Sequence, residues 1–321
     1  MSAYRLGVTA YLVLLLLVPT VWVVGQTKSK RPIPRAQPPK FSKTDPFFED
    51  AFASALQGER PANLGKGVAR SSPGNSGTPS TGTTDASDNA GSGWAAIVSA
   101  TVLEDEIKAQ KLLADANVTT PSDFNGNGHN NARRDFSIVA MVFGIIAEYD
   151  GDVRWKKEAP TGRDLFARTA ANAKVGTTGV YNEAKLRKQE LADLISGQSF
   201  ELREAEPKAK WGELINRVPL MQRLEPGRDE KIKPWTADAG QFKENIDKLS
   251  HEGQIFAAIG EVLQKEGLED ADDAEYKKFA AMLVTGGKEL AAACKEKNFD
   301  AASKATNLIV NSCEKCHEVY R

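Results

Sequence analysis

Between Phe299 and the C-terminal Arg321, apolar residues recur in alternating steps of three and four: Phe299, Ala302, Thr306, Ile309, Cys313, Cys316 and Tyr320. That period places them on one face of a helix, a face that must be buried against other helices. The same spacing runs through nearly everything after Trp94. Phe136, Val139, Ala140, Phe143, Ile146 and Ala147 mark one stripe, closed by Asp150-Gly151. Leu165, Phe166, Thr169, Ala170 and Ala173 mark another, ended by Gly176, and Val180, Ala184, Leu191, Leu194 and Ile195 a third, ended by Gly197. Upstream of these, Thr101 and Glu104 have the spacing of a capping box.

A charged hinge around Arg203 to Lys210 leads into a second set. There Trp211, Leu214, Val218 and Met221 share a face, then Phe242, Ile246, Leu249, Phe256 and Leu263, then Tyr276, Phe279, Ala280, Leu283, Leu290 and Cys294. Helices joined by short loops pack as up-down bundles. With aromatics at 7% and few β-branched runs, the expectation is an all-α chain. It comprises a helical bundle over 94–200 and a second four-helix bundle over 205–321. Met141 to Glu148 (MVFGIIAE) echoes Gln254 to Glu261 (QIFAAIGE), and Tyr181-Asn182-Glu183-Ala184 echoes Phe299-Asp300-Ala301-Ala302. Two readings stand for this echo, an internal duplication or the chance likeness of amphipathic helices.

The N-terminal third is different in kind. Gly7 to Gly25 carries no charge and contains the run Leu12 to Val18. It is near the lower limit of a membrane span and long for a signal-peptide core, so residues 1–25 read as a signal cleaved after about Gly25 or as an anchor held through 7–25. Lys28, Lys30, Arg31 and Arg35 follow it, and positive-inside bias alone would keep that side cytoplasmic. From 26 to 93 the chain is rich in Pro, Ser, Gly and Thr, most purely from Arg70 to Gly93. Such a stretch buries too little apolar surface to offset chain entropy and reads as a disordered linker. One island, Asp45 to Leu56, carries Phe47, Phe48 and Phe52. Across the chain 42 basic residues meet 43 acidic ones. A protein that binds nucleic acid through a basic field would show an excess of Lys and Arg, so no nucleic-acid partner is expected.

Only three cysteines occur, so no disulfide framework is expected. Two of them form Cys313-Glu314-Lys315-Cys316-His317, the attachment pattern of a c-type haem. On a helix Cys313 and Cys316 share a face and can form thioethers with the two vinyl groups of one porphyrin, while the imidazole of His317 reaches the iron. A zinc site would need further ligands, and neither a second Cys pair nor a nearby His is present. A dithiol redox pair wants a βαβ setting that this helical tail does not offer. Covalent haem attachment takes place outside the bacterial cytoplasm. That outweighs the basic residues behind the apolar segment and points to an exported, periplasmic protein.

The ending Cys313 to Arg321 (CEKCHEVYR), on the last helix of a four-helix bundle, resembles the cytochrome c′ and cytochrome c-556 family, whose haem pair lies at the C-terminal end. The resemblance covers about residues 208 to 321. It implies one haem c bound covalently through Cys313 and Cys316, with His317 as the proximal ligand. By the same resemblance Arg321 lies near the haem edge; by itself it is a solvated terminal charge. On the other side of the iron, cytochrome c′ proteins leave the site open and c-556-like proteins fill it with Met. Arg217 followed by Met221 is similar to the c-556 pattern, which would make Met221 the distal ligand. Pro219 departs from that pattern: it removes a helix hydrogen bond and should kink the segment. A Met on an apolar face is otherwise core filler.

The competing ligands are weaker. His251 falls on the side opposite Leu249 and is expected in solvent. Met282 flanks its stripe, Met141 and His129 belong to the first helical set, and Cys294 reads as an inert core thiol. With both His317 and Met221 on the iron the protein is not an enzyme but an electron carrier, whose partners are other redox proteins. With Met221 off the iron it would bind nitric oxide or carbon monoxide. In a third reading the haem bundle is one module of a scaffold protein. The family resemblance also brings a homodimer into view, with no residue here to fix it.

Overall fold

Two sets of four long helices account for most of the described residues, 93–201, 205 and 208–321, of the computed structural model. No strand occurs among them, so the chain is all-α over this range. The expected signal or anchor at 1–25, the linker up to 92 with its Phe-rich island, and part of the charged hinge lie outside the described residues. Among the described residues no helix is long and apolar enough to cross a membrane.

The first set comprises α1 (Ala100–Asn117), α2 (His129–Glu148), α3 (Ala159–Asn172) and α4 (Thr178–Ile195). Consecutive helices are neighbours and α4 returns to α1, which closes a bundle. The expected capping box does not form. Ser99 is the residue before the first turn, so Thr101 already lies inside it, and Glu104 points instead to Lys108 and Arg154 at 4.0 and 3.9 Å. The end of α4 follows its sequence signal. Gly197 takes φ 101°, a left-handed conformation that glycine adopts without penalty, and Gln198 N–H closes back on the Asp193 carbonyl at 2.9 Å.

The second set comprises α5 (Arg217–Pro226), α6 (Ala239–Val262), α7 (Ala274–Lys295) and α8 (Phe299–Tyr320), with a short turn Trp211–Leu214 before α5. Asp238, Asp273 and Asn298 cap the last three, accepting backbone N–H groups at 2.8–3.0 Å. Each such cap stabilises its helix by about 1 kcal/mol. Helices α6, α7 and α8 pack in sequence. Helix α5 behaves differently. It runs on through a π-helical segment, Gly227–Ile232, that packs on α6, while α5 itself packs on α2 of the first set.

That arrangement explains a feature that the stripe in α2 understates. Every residue from Asp135 to Ile146 is buried, because α1 and α3 cover one side and α5 with the Trp211–Leu214 turn cover the other. Buried residues of both sets form one continuous apolar core, and Gly82–Arg321 form one unit. Trp94 and Trp211 meet there with ring centroids 5.7 Å apart. The echoed sequences occupy the same places in the helix order, one pair in α2 and α6, the other in the first turns of α4 and α8. Aligned on Tyr181 and Phe299, Cys313 stands opposite Ile195, where α4 stops; α8 continues for two further turns, and these carry the Cys-x-x-Cys-His motif.

Candidate cofactor site

Between α5 on one side and α7 and α8 on the other lies a cavity of about 820 Å³. Sites for small molecules and cofactors span roughly 300–1,000 Å³. Cys313, Cys316, His317 and Arg321 line it from the last two turns of α8 and the residue beyond, and Met221 lines it from α5. All five residues expected to hold a haem therefore border one cavity. Leu263, Phe279, Ala280 and Leu283 form its apolar floor, and Val218 stands at its mouth, 56% exposed.

Met221 reaches the cavity by a route other than the stripe read from the sequence. The Trp211–Leu214 turn ends at Ile215, which is extended, and α5 starts afresh at Arg217, so the register resets. Trp211 and Leu214 are buried as expected, whereas Val218 is exposed. The buried face of α5 is Pro219, Leu220, Arg223 and Leu224, and Met221 sits half-buried at its cavity-facing edge. The kink expected from Pro219 is absent for the same reason. Pro219 falls in the first turn of α5, where a backbone N–H has no helical partner to lose.

Charged side chains of both signs line the cavity, Arg217, Arg228, Lys233 and Arg321 beside Glu225, Glu314 and Glu318. Arg217 pairs with Asp270 at 2.6 Å and Glu269 at 3.0 Å, and its guanidinium lies 5.8 Å over the Tyr276 ring. Arg228 pairs with Asp229 at 2.6 Å and faces Cys313. Burial holds the Cys313 and Cys316 thiols above the usual range, against the pull of Arg228 on the first and Arg217 on the second. Both are therefore neutral thiols at neutral pH. Partial burial, followed by Arg321 and Arg228, lowers the pKa of His317, which leaves its imidazole neutral with a free lone pair. Tyr276 is 1% exposed, yet its hydroxyl finds no partner of good hydrogen-bonding geometry among the described residues. The Arg217 guanidinium beside it is its electrostatic partner.

Other candidates fall away from the site. Met141 is fully buried inside α2, and Cys294 is a core thiol whose pKa burial pushes up to about 12. His251 is not in solvent as its position beside Leu249 suggested. Its Nε2 lies 3.0 Å from Glu106 Oε2, because α1 packs over that side of α6. Among the described residues no group of three or more His, Cys, Asp and Glu side chains converges as a metal-ion site.

The sequence reading passed over Tyr276 as cavity lining and Arg228 altogether. It also passed over a buried charge cluster behind α5, in which Arg223 bonds Glu106 and Glu252. A signal for that cluster was present: Arg223, Glu106 and Glu252 each occupy a position on an apolar stripe, beside Leu220 and Leu224, Leu103 and Ile107, and Leu249 and Phe256. Compared with protein-family models, with curated proteins and with solved structures, the chain gives no match.

Proposed function

We propose that the cavity holds one covalently attached haem and that the protein is an exported, periplasmic electron carrier. The observation that carries this reading is the convergence on one cavity of Cys313, Cys316 and His317, from the end of the chain, with Met221, from a helix nearly a hundred residues earlier. The cavity's volume, its apolar floor and its neutral thiols fit a porphyrin. Each thiol would add its sulfur and hydrogen across one vinyl double bond, which needs no oxidant. The neutral imidazole of His317 suits a ligand on one side of the iron and the thioether of Met221 one on the other. When bound, the haem supplies a one-electron couple, and a Met/His ligand pair raises its potential.

The protein's own residues do the rest. Leu263, Phe279 and Leu283 exclude water from the floor, while Arg217, Arg228, Lys233 and Arg321 stand beside Glu225, Glu314 and Glu318 in a lining of mixed charge. In this reading Arg321 acts through its charge beside His317. Partners are redox proteins met through transient contacts, and export follows from where covalent attachment occurs, through residues 1–25. The resemblance of the CEKCHEVYR ending to cytochromes c′ and c-556 supports the same assignment and rests on that motif and its placement.

The test is the absorption spectrum of the haem-loaded protein, oxidised and then reduced. Sharp, split α and β bands on reduction, with a weak far-red band on oxidation, are expected for iron held by His317 and Met221. A broad high-spin spectrum that sharpens only with carbon monoxide would remove Met221 from the iron and make the protein a binder of nitric oxide or carbon monoxide. Purified protein with no covalent haem would sink the assignment.

A further inference from the structure

We propose that the first helical set is the template for one wall of the cavity, with Glu106 the positioning residue that holds α5 in register through Arg223. Helix α5 and its continuation are poorly able to hold their own shape. Pro226, inside α5, and Pro234, just past the π-helical segment at Gly227–Ile232, each lack an N–H. Prolines and π turns weaken the hydrogen-bond ladder that fixes a helix's rotation and length. The register of this stretch must therefore come from outside it. It does not come from α8, since the cavity lies between them, and the backbone neighbour of α5 is α2 of the first set.

The side chains divide the same way. Met221, Glu225 and Arg228, at steps of four and three, face the cavity. Arg223, Gly227 and Lys231, at steps of four, face the opposite direction. There Arg223 uses both edges of its guanidinium. Nε and Nη2 donate to the two Glu106 oxygens at 2.8 and 3.0 Å, and Nη1 and Nη2 donate to the Glu252 oxygens at 2.9 and 3.2 Å. Glu106 also accepts from Gln110 at 2.8 Å and meets His251 at 3.0 Å, and Glu252 accepts from Lys231 at 2.5 Å. All three members of the core triad are buried.

Two bidentate pairs on one planar group specify its position and plane, where a single hydrophobic contact would let the helix slide or rotate. Glu252 belongs to the second set and satisfies only part of the guanidinium. Glu106 supplies the remainder, from α1, a helix that contributes nothing to the cavity lining. Arg223 is two residues from Met221, so the rotation that Glu106 fixes is the rotation that aims Met221.

The experiment is amide hydrogen exchange, resolved by segment, on the full chain and its Glu106→Gln variant, alongside the oxidised absorption spectrum of both. Residues 217–232 should exchange about tenfold faster in the variant while α7 and α8 keep their rates, as for a local opening rather than a global one. The far-red band should lose most of its intensity at unchanged covalent haem content. Glu106→Asp keeps the charge and should fall between the two, and it carries the same comparison if the Gln variant does not fold. Unchanged exchange in 217–232 overturns the proposal, as does acceleration spread evenly over α6, α7 and α8. The spectral arm rests on the haem reading and the exchange arm does not. If the wild type shows no far-red band, Met221 is not the ligand and exchange alone decides whether Glu106 positions the wall.

Discussion

The two helical sets solve the same packing problem in opposite ways. In the first, aromatic rings fill the space between helices. Phe143 stacks on Phe166 with centroids 5.8 Å apart, Phe136 and Phe200 close on the same ring, and Trp155 meets Phe143 edge-on at 6.4 Å. In the second, α5 leans away onto the first set, and the space it leaves between itself and α8 is the cavity of about 820 Å³. The first set has a closed core with no cysteine, and the second is kept open beside its Cys pair. The wall of that opening opposite α8 is α5, which packs on the adjoining bundle.

The largest expected effect tests whether the opening is for a haem. Replacing both Cys313 and Cys316 by Ser should abolish the haem that survives a denaturing gel while leaving helix content in circular dichroism near that of the wild type. Retention of covalent haem would break the comparison at its root.

The charge triad at the junction comes next. Arg223→Met leaves the Glu106 and Glu252 carboxylates buried without the guanidinium they share, which should cost about 3–5 kcal/mol in urea unfolding. The pH dependence should weaken as well. In the wild type, burial opposes ionisation of Glu106 and Glu252, but Arg223, helped by His251 at Glu106 and by Lys231 at Glu252, outweighs it and holds both below the ordinary carboxylate range. Their contribution is therefore present above the unfolded carboxylate pKa and lost as pH falls through the depressed values. In the variant only His251 beside Glu106 and Lys231 beside Glu252 are left to offset burial, so both carboxylates move up and the contribution present above the unfolded pKa shrinks. A variant that keeps the wild-type slope would show that the triad is not what joins the sets.

Core truncation separates filled from open. Phe166→Ala, in the aromatic cluster, should cost about 3–5 kcal/mol, since it opens a void inside a packed core. Phe279→Ala, already at a cavity edge, should cost less than half as much. Equal costs in denaturant melts would erase the contrast between the sets.

The smallest effect concerns how closely backbones approach. A Cβ on Gly287 would collide with the Gly253 carbonyl and lie 2.7 Å from Ala257 N, both backbone atoms of α6, so Gly287→Ala should cost about 1–3 kcal/mol. A Cβ on Gly144 meets the Leu214 and Trp211 side chains at 2.9 and 3.1 Å, and these can shift. Gly144→Ala should therefore lower the unfolding midpoint by the smaller amount.

Much of the fold was readable from local pattern. The stripes at steps of three and four mark the long helices, and Gly197, Asp238, Asp273 and Asn298 mark ends through turn and cap chemistry that depends on nearest neighbours alone. The motif Cys313-x-x-Cys316-His317 falls on one helix, so its shared face follows from helix geometry wherever that helix packs. Those are properties of a few residues in sequence, and sequence determines them.

What joins distant segments was decided elsewhere. The stripe Trp211, Leu214, Val218, Met221 looked continuous, but the extended Ile215 resets the register, and only the packing of α5 on α2 turns Met221 toward the cavity. His251 looked solvent-facing because a helix stripe cannot show that α1 will cover its other side. Arg223, Glu106 and Glu252 are far apart in sequence, and only packing brings them within hydrogen-bond distance. The periodicity of a helix says which face is apolar. Which neighbour covers that face, and what space is left uncovered, depends on long-range contacts that have no local signature, and the cavity between α5 and α8 is a product of those contacts.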